Sequence, residues 1–156
     1  MAVIVHAAVA RNYLMLGTLE PNTVIDQDIT IDDYAVPFIP PGTQFLGGVD
    51  LSGNPGLTTV HRGVCAQELI LDDCPSLKTI EDNLVVDCDL SLKNCRALGR
   101  IGNGLTVKGN MDMEGCSTDL QLPNHGVVRG SLILPTGFDT ARISPYFKTG
   151  KLQMAS

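Results

Sequence analysis

Apolar residues recur in i, i+2 pairs along the middle of the chain: Val49/Leu51, Leu69/Leu71, Leu90/Leu92, Met111/Met113 and Leu132/Leu134. Period 2 predicts strands with one face turned inward. The pairs advance by 20, 21, 21 and 21 residues, and a fixed period of this length predicts a solenoid. Leu84–Ile101 shows the unit most clearly. Leu84, Val86, Leu90 and Leu92 keep one parity, and a bend is expected at Cys88, whose place is taken by Gly109 and Gly130 later. Cys95, Leu98 and Ile101 follow, matched by Cys74–Leu77–Ile80 and Asn54–Leu57–Val60. After Cys116 the next apolar residues are Leu120 and Leu122, so one residue is inserted near Ser117 and Thr118, and a bulged corner is expected there. By a 21-residue step Cys65 falls on Val86 and is expected in the core.

The flanks are less regular. Ile25, Ile29 and Ile31 occupy the offsets of Val86, Leu90 and Leu92, so the chain from Thr23 reads as a degenerate first coil closed by Pro37, Pro40 and Pro41. Proline denies a ladder its donors, which suits an edge. The expected organisation is an N-terminal arm or cap over 1–22, as strand, short helix or arm, a repeat solenoid over 23–134, and a tail over 135–156. The fold class is all-β, a single-stack β-solenoid of about five coils with terminal caps or arms. A lone coil buries too few side chains to offset the ordering of its backbone, so stacking is the stabilising device.

Composition narrows the picture. Aromatics are 4% of the 156 residues and Trp is absent, as suits narrow coils filled by aliphatic side chains. The net charge is −6, which argues against nucleic-acid or membrane partners, since both need a basic footprint. Residues 1–42 set Arg11 against Glu20, Asp26, Asp28, Asp32 and Asp33, a balance of −4. The tail sets Arg142, Lys148 and Lys151 against Asp139, a balance of +2. Five cysteines, three at one repeat position, point to reduced thiols in the cytoplasm or a virion rather than a disulfide framework. The opening MAVIVHAAVA lacks the basic region of a secretion signal.

Asn54, Cys74, Cys95 and Cys116 form a column one coil apart. Zn²⁺ wants four convergent ligands, and a column supplies its members in a line. His6, His61 and His125 lie in unlike places, and G-x-x-x-x-G-K-[ST], H-E-x-x-H and C-x-x-C are missing. No catalytic residue, cofactor, metal or small-molecule substrate is expected. The outward positions Asp50, Glu68, Asp72, Asp89, Asp112 and Glu114 should share one largely acidic face, either a solvated face or a surface for a basic partner. In the tail, Phe138, Tyr146 and Phe147 accompany Arg142, Lys148 and Lys151, a combination suited to an interface core. The tail is expected either to fold over the last coil or to dock on a neighbour.

The unit L-x-L-x-x-C/N-x-x-L-x-x-I resembles leucine-rich repeats, especially the short bacterial and phage kind reading G-L-x-V-x-G-x-L-x-L-x-G-C-x-x-L. Gly104-Leu105-Thr106-Val107-Lys108-Gly109-Asn110-Met111-Asp112-Met113-Glu114-Gly115-Cys116 carries the likeness. The resemblance implies that the Asn/Cys column is inward and hydrogen-bonds the turn backbone. It leaves a horseshoe and a closed β-helix both open. It also implies a non-enzymatic interaction or structural role, with a virion or capsid-associated protein as the concrete expectation. Its protein partner is copies of itself or a shell protein. The alternatives are a soluble effector or inhibitor that grips a host protein through the repeat face, and an enzyme on a solenoid scaffold.

Overall fold

The computed structural model describes residues 3–156. The chain is a β-solenoid of stacked parallel coils, running to about seven turns rather than five. Three ladders run along the stack. The first contains Ile4–Val5, Val24–Ile25, Gln44–Phe45, Cys65–Ala66, Val85–Val86 and Leu105–Val107, then the leading halves of Gly126–Leu134 and Phe147–Met154. The second contains Ile29–Thr30, Gly48–Asp50, Glu68–Ile70, Leu90–Ser91 and Met111–Asp112, then the trailing halves of those two long strands. The third has Phe38–Ile39, Thr59–Val60, Thr79–Ile80 and Arg100–Ile101. Gly126–Leu134 belongs to both of the first two ladders, joining them into one 13-stranded sheet.

The predicted parity is what closes the core. Ile29, Val49, Leu69, Leu90, Met111 and Leu132 stack through paired rungs, and each is buried. Ile31, Leu51, Leu71, Leu92, Met113 and Leu134 form a second buried column, and Ile39, Val60, Ile80 and Ile101 a third. The chain bends at Asp87–Cys88, between the two rungs of one coil. Cys65 departs from the expectation. It pairs with Val85 and lies partly exposed, while Ala66 faces Val86 in the core. Phe45 fills the rung below, and a small residue is what fits above it.

Corners between ladders demand left-handed backbone. One corner column holds Asn22, Gly42, Gly63, Asn83 and Gly104, and another holds Gly53, Asp73, Asn94 and Gly115, all at positive φ. Only Gly, Asn and Asp visit this region readily. Absence of a side chain also matters at Gly115, where an added Cβ would collide with the Asn94 amide oxygen from the coil below.

The ends differ from the repeat. Residues 3–22 supply a rung, Ile4–Val5, and a helix, Ala7–Leu16, which replaces the second-ladder rung. His6 Nδ1 accepts from the Ala8 N–H at its start, and Gly17 at φ 68° closes it. Ala7, Ala10 and Leu14 cover the first coil. The chain from 135 is no free arm. Thr140–Arg142 is one 3-10 turn, and Phe147–Met154 adds a final parallel rung. These two terminal rungs account for the extra turns. Among the described residues no helix is long and apolar enough to cross a membrane.

Candidate interaction surfaces

The acidic positions lie in adjacent rows of the second ladder. Asp50 and Asp112 share a row with Ile70 and Ser91, while Glu68 and Asp89 share the row at the bend. Asp72 and Glu114 follow the strands, at the turn. The structure therefore brings the six residues to one face, but the four aspartates each have an oxygen engaged by the scaffold. Asp72 Oδ1 accepts from the Ser91 hydroxyl at 2.6 Å and the Lys93 N–H at 3.0 Å. Asp89 Oδ1 accepts from the Asn110 N–H one coil above at 2.8 Å. Asp50 and Asp112 close their own turns by accepting from the Ser52 and Glu114 N–H groups, each at 3.0 Å. Lys93 Nζ lies 3.7 Å from Asp112 Oδ2.

The same device recurs along that face and at the corners. Asp28 accepts from the Gly48 N–H, Asp82 from Asn103, Asn103 from Asn124 and His125, and Asn110 from Ser131. Each bond crosses one coil. At bends and corners the ladder is interrupted, and a carboxylate or amide oxygen from the rung below takes its place. These bonds lie at exposed or part-buried positions, where each adds about 0.5–1.5 kcal/mol, and together they tie successive coils.

The Asn/Cys column points inward. The Cys74, Cys95 and Cys116 thiols donate to the Leu51, Leu71 and Leu92 carbonyls at 3.3, 2.9 and 2.9 Å. Asn54 does more at the first position: its Oδ1 accepts from Val36 and Gly56, and its Nδ2 donates to the Tyr34 carbonyl. Burial pushes the Cys116 thiol up to about 11. The contact with Cys74, together with burial, raises Cys95 as well. Cys95 and Cys116, held neutral in this way, are poor nucleophiles and poor metal ligands, whereas the hydrogen bond with Cys95 shifts the Cys74 thiol down. Among the described residues no group of three or more His, Cys, Asp or Glu is placed to hold a metal ion. The histidines are apart: His61 Nδ1 lies 3.0 Å from Glu81 Oε1, His125 stacks on Tyr146, and His6 caps the helix.

The tail residues divide. Phe138 and Phe147 are buried in the chain's own core. Arg142 grips the corner where the extra residue sits, donating to the Thr118, Asp119 and Leu120 carbonyls at 2.6, 3.3 and 3.0 Å while lying over the Phe138 ring. The insertion expected near Ser117–Thr118 thus turns carbonyls outward, and a guanidinium satisfies them. Beyond this corner the third ladder dwindles to one bridge, Arg100 to Gln121. Tyr146, Lys148 and Lys151 remain exposed.

Sequence reasoning missed the apolar character of the ends. Val3, Ile4, Val9, Tyr13, Leu16 and Tyr34 are exposed at the N-terminal end, and Tyr146, Leu152 and Met154 at the C-terminal end. Between them Leu46 alone is a large exposed apolar side chain. A signal existed: Leu152/Met154 repeats the aliphatic pair 20 residues after Leu132/Leu134. In comparisons with known proteins, no family model, curated protein or solved structure matches the chain.

Proposed function

We propose that this solenoid is a non-enzymatic structural protein that works by binding protein, with its two ends as the working surfaces. The observation that carries this reading is the segregation of exposed apolar side chains to the ends, while the polar side chains of the repeat bond the coils to one another. Exposed apolar patches of this kind mark sites of association. The likeness of Gly104–Cys116 to the phage-type repeat narrows the setting to a virion, as a capsid-associated or decoration protein. Quantitative mass spectrometry of purified particles tests it. The chain should be recovered at a fixed ratio to the major shell protein through repeated purification. Recovery in the soluble lysate alone would overturn the virion setting. A partner whose binding is lost on Glu68→Lys and Glu114→Lys, and is untouched by changes at the ends, would support the effector reading instead.

A further inference from the structure

The helix Ala7–Leu16 is apolar on both sides. Ala7, Ala10 and Leu14 lie on the first coil, whereas Val9, Tyr13 and Leu16, four and three residues apart, share the opposite face and are 47%, 45% and 73% exposed. Arg11 and Asn12 lie between these two faces, and a surface helix normally carries one apolar stripe, turned to the core, rather than two. Beside it, the Ile4–Val5 rung pairs on its Val24–Ile25 side alone and leaves Ile4 exposed. Val3, Val5, Tyr13 and Leu19 line a groove at the same end. At the other end, Phe147–Met154 pairs with Gly126–Leu134 and offers an unpaired outer edge. Leu152 and Met154, which continue the inward columns, are 43% and 44% exposed because no coil covers them.

We infer that the chain associates head to tail with a second copy, the Phe147–Met154 edge of one copy stacking on the Ile4–Val5 edge and N-terminal helix of the next. This rests on the reading of the ends as working surfaces and names their partner. Ladder geometry chooses the occupant first. Ile4–Val5 and Phe147–Met154 are the first and last rungs of one parallel ladder. A copy placed on the last rung continues that ladder in the same direction at the same step of about 4.8 Å. Charge chooses next. The first coil exposes Asp26 and Asp32, with Asp33 paired to Arg11 and Asp28 turned to Gly48 of the next coil, and the last rung exposes Lys148 and Lys151. Head to tail sets these opposite charges together. Tail to tail would set the lysines against each other, and lysine on an edge strand is a recognised guard against such pairing. Apolar surface is present on both sides of the joint, with Leu152 and Met154 arriving at the end that carries Val9, Tyr13 and Leu16.

A head-to-tail contact uses two different patches, so it does not close at a dimer. Sedimentation velocity of the full chain over a concentration series should show the average mass rising past that of a dimer. Lys148→Glu with Lys151→Glu in one variant, and Asp26→Lys with Asp32→Lys in another, should each weaken self-association at least about tenfold, since like charges face each other at the joint. Mixing the two should restore assembly, because acidic tails then meet basic heads. This rescue also shows that both variants are folded. A monomer at every concentration, or a dimer that never grows, would overturn the inference. Neither result bears on recovery in purified particles, so the virion reading stands or falls separately.

Discussion

The left-handed corners are decided residue by residue. Asn94 sits at φ 60° and donates through Nδ2 to Asp73 Oδ1 below at 3.0 Å, while its own oxygen lies against Gly115 above. Gly115→Ala adds both a disfavoured φ and a collision, and should cost about 1–3 kcal/mol in urea melts. Gly53, with open space around its added Cβ, bears the φ penalty alone and should lose less on the same substitution. The buried thiols make a second prediction at this scale. In the unfolded chain Cys116 ionises near its ordinary value of about 8.5, while in the fold it holds its proton to about 11. Between these values the unfolded state binds fewer protons, so stability present at neutral pH falls as pH rises, by up to about 1.4 kcal/mol per unit for one such group. Denaturant melts from neutral to alkaline pH should show this slope, and Cys116→Ala should flatten it. An unchanged slope would mean that the thiol is not held neutral.

At the scale of the element, the rung was legible because inward residues must keep parity, and Leu84, Val86, Leu90 and Leu92 do so with every side chain buried. Leu92→Ala opens a hole between Leu71 and Met113 that the rigid ladders cannot close. A loss of about 2–5 kcal/mol is expected in equilibrium unfolding, and a loss below about 1 kcal/mol would contradict the register. Other elements were not legible, for physical reasons. The first helix carries apolar residues on two opposite faces with Arg11 and Asn12 between them, so no single stripe stood out. Phe147–Met154 keeps its aliphatic pair but lacks the corner set that follows it in every full coil, so it read as tail. The acidic face was legible as a face. Its engagement was not, because an Asp that accepts from a backbone N–H one coil above looks, in sequence, like any exposed Asp.

For the whole molecule, each coil touches only its neighbours, so stability is nearly a sum of local stabilities and stacking terms. Amide hydrogen exchange should therefore be slowest in the central rungs, from Cys65–Ala66 to Met111–Asp112, and should quicken toward Ile4–Val5 and Phe147–Met154. Uniform protection along the chain would mean that the ends are locked by something beyond their own coil.

The in-register pairing of Val85 with Thr106 also bears on how such a chain changes over generations. Excising residues 85–105 joins Leu84 to Thr106 with each inward position kept, and should leave a folded rod shorter by about 4.8 Å, its ends unaltered. Circular dichroism and small-angle scattering would check both points. Similar tandem segments in a gene invite slippage and unequal recombination, and here those accidents lose or gain one whole rung at a time. Length can then drift in fixed increments while the two ends are inherited intact, so the length of the rod is written in the copying errors of its own gene.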